Sequence, residues 1–152
     1  MTDVCLSTVL RPQDVVLGFR AEALRDAVDS LLRARLTRAL LSEDDASAAI
    51  DSIMRREAQG STATGVIAVP HARIAGITDF VAALGINPSG VFAEDDAPRL
   101  MLSFVSPVDA AAAHLRFLSS VAKAFRRESV ISDLLQAADG GSVIDILRDN
   151  GV

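Results

Sequence analysis

Apolar residues recur at two different periods along this chain, and the switches between them mark out its elements. Ala23, Leu24, Ala27, Val28, Leu31, Leu32, Leu36 and Leu40 return every three or four positions, with mostly Arg, Asp and Glu between them. That spacing predicts a helix over residues 20–41 with one buried stripe. Ser42 is a second start signal, because Asp45 stands where a capping box places its acid. The helix it opens, over 44–58, would bury Ala46, Ala49, Ile50, Ile53 and Met54 and end at Gly60. Short, nearly continuous apolar runs at 66–70, 80–86 and 100–105 read as strands covered on both faces. A shorter strand is expected over 14–19, behind Pro12. Asn87-Pro88-Ser89-Gly90 is a turn, and 92–98 a loop. Helical spacing returns over 110–126, through His114, Leu115, Leu118, Val121, Ala122 and Phe125. Two shorter helices, over 129–138 and 142–149, are separated in this reading by Gly140 and Gly141.

Strands alternating with helices predict an α/β fold: a single-domain sandwich over residues 1–152, with a mixed, mostly parallel sheet flanked by helices. The link between the strands at 66–70 and 80–86 is short, which predicts one antiparallel pair.

Composition narrows the function classes. The formal net charge is −5 and the pI about 4.9, which argues against the basic face of a nucleic-acid binder. The local clusters Arg33, Arg35, Arg38 and Arg126, Arg127 read as solvated helix faces. Trp and Tyr are absent, so the core must be mainly aliphatic. A lone Cys5 excludes an internal disulfide and suits a reducing compartment. No apolar run approaches the ~18 residues of a membrane span, and no basic-then-apolar leader is visible. The expectation is a cytoplasmic protein without membrane insertion. Two histidines far apart in sequence, without a cysteine cluster, offer no metal-site spacing. There is no Walker-type run for direct nucleotide use and no G-x-S-x-G elbow.

The chemistry-bearing stretch is 55–73, RREAQGSTATGVIAVPHAR. A loop of small and hydroxyl residues leads into an apolar strand that delivers His71 at its exit. Strand carboxyl ends are where α/β folds place reactive groups, and a neutral imidazole is a competent nucleophile near pH 7. A phosphoryl group on it would carry ~1.5–2 negative charges. Donors stand close in sequence: the hydroxyls of Ser61, Thr62 and Thr64, backbone N–H groups opened by Gly60 and Gly65, and the guanidinium of Arg55 or Arg56. His114, near a helix start, adds a second imidazole at a positive dipole end. Plainer readings stand beside this one. His71 could be a structural or surface residue, His114 a core-edge residue, and the hydroxyls local loop caps. A small enzyme with His71 as general base, oriented by Glu57 or Asp109, is a further alternative.

Arg56-Glu57, Gly60-Ser61-Thr62 and Ile67-Ala68-Val69-Pro70-His71-Ala72-Arg73 together resemble the signature of the type-2 EIIA domain of the bacterial phosphoenolpyruvate:sugar phosphotransferase system. That family includes fructose- and mannitol-type IIA domains and the nitrogen-regulatory IIA protein. The similarity extends to Asp95-Asp96-Ala97-Pro98-Arg99-Leu100-Met101-Leu102 and to His114-Leu115 after Pro107. The resemblance implies that His71 is phosphorylated at Nε2 by the carrier HPr. It would pass the group to a IIB partner, or serve as a regulatory switch on a target protein. It also implies that His114 hydrogen-bonds the active histidine or its phosphate, that Arg56 neutralises charge, and that Ser61, Thr62, Thr64 and Gly65 belong to the phosphate loop. No metal or cofactor is implied. The chain departs from the family at residues 63–66, Ala-Thr-Gly-Val, where the family usually has a glycine-rich G-I-G-x-G. The loop is about one residue shorter and poorer in glycine, and glycine is what permits positive φ and close backbone approach. A module that kept the fold and lost phosphotransfer, with 74–77 as an exposed docking segment, is therefore the alternative function.

Overall fold

The computed structural model describes residues 3–152. Five strands form one mixed sheet: β1 (Val15–Leu17), β2 (Ile67–Ala68), β3 (His71–Ile74), β4 (Val81–Ile86) and β5 (Leu100–Pro107). Six helices flank it: α1 (Leu6–Val9), α2 (Leu24–Leu40), α3 (Glu43–Ala58), α4 (Ala111–Ala124), α5 (Glu128–Gln136) and α6 (Gly140–Asp149). The sheet is mostly parallel, as expected, with order β1-β4-β5-β2 and β3 also on β5.

Among the strands of the described residues, the antiparallel pair is β4 with β5, not the pair that the short link suggested. The strand carrying His71 lies on the far side of β5, so the link before Val81 crosses β5 rather than turning back as a hairpin. The 66–70 strand is broken as well. Pro70 lacks an N–H, and β2 stops at Ala68 while β3 begins at His71. The register nonetheless continues unchanged across the gap, Ala68 opposite Met101 and His71 opposite Phe104. The Pro70 carbonyl accepts from Phe104 N–H at 3.2 Å and from the Ser103 hydroxyl at 3.1 Å, which ties the gap to β5. His71 thus opens a strand instead of following one.

Alternation along β4 and β5 feeds two cores, one on each face. Leu84, Leu100, Leu102, Phe104, Phe117, Leu134 and Leu147 join α1, α4, α5 and α6 to one face. Val28, Leu32, Leu36, Ile50, Ile53, Met101 and Val105 join α2 and α3 to the other. Both central strands are buried at every position, which is why they read as unbroken apolar runs.

Several local expectations change. Ser42 does cap α3, its Oγ accepting from Asp45 N–H at 3.1 Å. Gly140 and Gly141 do not separate two helices, because they form the first turn of α6 behind the N-cap Asp139. Gly140 packs on the Pro12 carbonyl so closely that a Cβ would overlap it. The segment before Pro12 contains the short helix α1. Asp14 belongs to a 3-10 turn rather than to β1. Arg35 is not on a solvated face. It is mostly buried, 3.1 Å from the buried carboxylate of Asp14, and donates to the Ala82 carbonyl. Ile74 is buried in the α2–α3 core, so the proposed docking segment 74–77 lacks its first apolar residue.

Candidate functional site

Four elements meet at the β2–β3 edge of the sheet. His71 starts β3, and α4 brings His114 within its first two turns. The C-terminal turn of α3 supplies Arg56 and Glu57, and the 60–66 loop closes the side. His71 and His114 are both buried, 6% and 7% exposed, and their ring centres lie 5.3 Å apart at 46°. Phe104 stacks beneath His71, with ring centres 5.1 Å apart and planes within 8°. The same ring anchors the core through Phe80 and Phe117. A packed aromatic floor therefore fixes the plane of the imidazole.

The hydrogen bonds fix its edges. His71 Nδ1 lies 2.7 Å from the Val69 carbonyl. A carbonyl can only accept, so Nδ1 carries the proton and Nε2 keeps its lone pair. His114 Nδ1 pairs with the Ser106 hydroxyl at 2.6 Å, a group that can donate or accept. Burial holds the pKa of His71 below its ordinary value, and the positive charge of Arg56 adds to the effect. The Val69 bond and the Glu57 carboxylate act the other way. His114 is pushed down to about 4, chiefly by burial, then by His71 and by Arg73. Both imidazoles are neutral at pH 7, the form a nucleophile requires.

The loop is held from within. Arg56 donates to the Gly60 carbonyl at 3.0 Å. The Glu57 carboxylate accepts from Thr62 N–H at 3.2 Å and from the Thr62 hydroxyl. Thr62 Oγ in turn accepts from Val69 N–H at 3.2 Å. Ser61 Oγ accepts from Ala63 N–H at 3.1 Å. Thr64 and Ile67 exchange backbone bonds around Gly65, whose φ of +61° is the conformation that favours glycine. The N–H groups of Thr62, Ala63 and Thr64 are thus all used by partners at the loop or at its two ends.

The structure therefore brings His71, His114, Arg56 and Thr62 into one assembly. Ser61, Thr64 and Gly65 shape the loop beside it and are exposed. Glu57 binds Thr62, and the partner of His71 Nδ1 is a backbone carbonyl, so neither Glu57 nor Asp109 orients the imidazole by direct contact. Sequence reasoning missed Ser103, Ser106 and Phe104. A signal for the two serines existed: they are the polar residues of the otherwise apolar strand LMLSFVSP, and a buried hydroxyl needs a partner. Among the described residues no group of three or more His, Cys, Asp or Glu could hold a metal ion, and no helix is long and apolar enough to cross a membrane.

Residues 8–150 match the family described as "Phosphoenolpyruvate-dependent sugar phosphotransferase system, EIIA 2". A fructose-specific EIIA component of Haloferax volcanii is 30% identical over 110 residues, which is 70% of this chain and 71% of that protein. A fructose-specific EIIABC component of Bacillus subtilis is 32% identical over 111 residues, where the match covers 70% of this chain and 18% of the longer protein. Among solved structures, the nitrogen regulatory protein IIA-Ntr of Neisseria meningitidis superposes with a TM-score of 0.77 at 26% identity, covering 93% of this chain and 98% of that one. The mannitol IIA of Escherichia coli shares the fold, with a TM-score of 0.67 at 21% identity, covering 91% of this chain and 98% of that one. The chain belongs to the type-2 EIIA family of the phosphoenolpyruvate-dependent sugar phosphotransferase system, a family whose members act as phosphoryl carriers or in regulation.

Proposed function

We propose that His71 is the phosphoryl acceptor of this chain, and that it takes the group at Nε2 from an HPr-like carrier. The observation that carries this reading is the bond from His71 Nδ1 to the Val69 carbonyl, which leaves Nε2 as the unprotonated nitrogen. In the transfer, a bond forms between Nε2 and phosphorus as the donor's bond to phosphorus breaks. The donor nitrogen leaves with its electron pair. The attacking ring gains positive character, and the Val69 carbonyl already faces the Nδ1–H where that charge is shared. The charge of Arg56 acts on His71 and the His114 ring lies 5.3 Å from it, so in this reading positioning and charge carry the transfer.

The downstream acceptor would be a IIB protein or a regulatory target. A mannitol IIA from E. coli has been solved in complex with phosphorylated IIB, and this chain has its fold. Leu115, the residue after His114 in α4, and Val108, just past β5, are exposed and would offer apolar surface to such a partner. A second reading, a binding module without transfer, draws on the loop, where the N–H groups of Thr62, Ala63 and Thr64 are spent on local partners rather than offered to an anion.

One experiment separates the two. The chain is incubated with phosphoenolpyruvate, Enzyme I and HPr and followed by intact mass, with His71→Ala as control. The expected outcome is one acid-labile phosphate, absent from the variant. A chain that binds HPr yet gains no mass would establish the module instead.

A further inference from the structure

The broken edge strand leaves Val69 with no ladder assignment, and both of its backbone groups are used elsewhere. Its N–H goes to Thr62 Oγ at 3.2 Å, and its C=O accepts from His71 Nδ1 at 2.7 Å. Thr62 is itself held twice, through its N–H and its hydroxyl, by one carboxylate, that of Glu57 at the end of α3. A continuous path of hydrogen bonds therefore runs from Glu57 through Thr62 and Val69 to the buried imidazole. Each link has a fixed polarity. The carboxylate accepts only, so the Thr62 hydroxyl must donate to it and has its lone pairs free for Val69 N–H. The carbonyl of Val69 is thereby set beside Nδ1.

We propose that Glu57 and Thr62 are positioning residues for phosphotransfer: they anchor Val69 so that its carbonyl holds His71 in the Nδ1–H tautomer with Nε2 free. The proposal rests on the reading of His71 as acceptor. It extends that reading to residues that never touch the phosphoryl group. The N–H and C=O of Val69 belong to different peptide units, so the effect is geometric and does not pass charge along the chain. Steric packing alone leaves a gap in the site that this path fills. Phe104 fixes the plane of the ring, but a stacked face does not distinguish one ring nitrogen from the other. Among the described hydrogen bonds, it is the one to the Val69 carbonyl that does so. The short loop sharpens the requirement, because its turn at Gly65 closes directly onto Ile67, two residues before Val69.

The test reads the tautomer directly, in the unphosphorylated protein. Long-range nitrogen–proton NMR of His71 is compared in the unsubstituted chain, Glu57→Gln, Thr62→Val and Thr62→Ser, together with the rate of phosphorylation by HPr. In the unsubstituted chain Nδ1 is expected to be pyrrole-like and Nε2 pyridine-like. Thr62→Val and Glu57→Gln should give a mixed tautomer signal and a transfer rate lower by roughly 10–100-fold. Thr62→Ser, which keeps the hydroxyl, should restore both. Glu57→Gln is nearly isosteric, so it carries the test by itself should Thr62→Val not fold. A single unchanged tautomer and a full rate in Glu57→Gln would overturn the proposal. So would an unsubstituted chain whose His71 is protonated at Nε2. If the unsubstituted chain shows the expected tautomer but accepts no phosphate, it is the carrier reading that fails, and the tautomer comparison still decides the role of Glu57 and Thr62.

Discussion

His114 shows how a single residue is tuned by its surroundings. Its imidazole is buried against Phe104 and His71, with the Arg73 charge nearby, and its pKa falls to about 4. Arg73 lies on β3 two residues past His71, so the two share a face of that strand, and its guanidinium contacts only the Val108 carbonyl, at 3.5 Å, among the bonds described. The sign of the pH effect follows. Both histidines bind protons less tightly folded than unfolded, so the unfolded chain charges first as pH drops below about 6.5. Their contribution to stability is complete above that pH and is lost as pH falls toward the folded values, near 4 for His114. The ring protons of His114 should keep neutral-form NMR shifts well below the ordinary histidine range and reach their titration midpoint only near pH 4. In Arg73→Gln the midpoint should move upward, since one positive charge opposing protonation is gone. A titration at the ordinary histidine value in the unsubstituted chain would contradict the buried, charge-flanked site.

At the scale of elements, the helices were legible because their apolar period, caps and breakers agree. Ser42 caps α3 as read, and α2, α3 and α4 start and stop within a few residues of expectation. What sequence periodicity could not carry was decided by tertiary contacts. Pro70 looked like the end of a strand, yet an unbroken register on β5 resumes the strand at His71. Glycines 140 and 141 looked like a breaker, yet they open α6, and at Gly140 a side chain would run into the Pro12 carbonyl. The histidine pair and Arg56, grouped in the sequence reading, are brought together by the fold. The Glu57–Thr62–Val69 path was not legible, since its central link is a backbone group that carries no residue signature. One junction runs against local preference. Leu41, after α2, is 88% exposed with a φ of +58°, a left-handed conformation costly for a branched L-residue and normal for glycine. Leu41→Gly should therefore stabilise the fold by about 0.5–1 kcal/mol, read as a higher urea midpoint with unchanged slope.

Across the whole molecule, the site belongs to neither layer alone. The sheet separates two cores, and the β2–β3 edge is where elements from both sides meet: α4 contributes His114 from one layer, and α3 contributes Arg56 and Glu57 from the other. An edge has no further strand to cover it, so His71 can be packed on Phe104 and still lie beside the molecular surface. That arrangement suits a group passed between proteins, because the partner supplies the missing wall and excludes water only during contact. Leu115, the residue after His114 in α4 and 66% exposed, and Val108, just past β5 and 54% exposed, are apolar surface that such a wall would bury. Leu115 points away from the core that holds its neighbour His114, so changing it should leave the fold intact. Leu115→Glu places a charge where a partner must desolvate it, and kcat/KM for phosphorylation by HPr should fall roughly tenfold, about 1.4 kcal/mol of docking energy. The melting temperature should not move. Val16→Glu, on exposed β1 at the opposite edge of the sheet, is the matched control and should leave transfer unchanged. Equal losses in the two variants would mean that added charge alone slows the encounter, and that the surface at Leu115 is not where the partner sits.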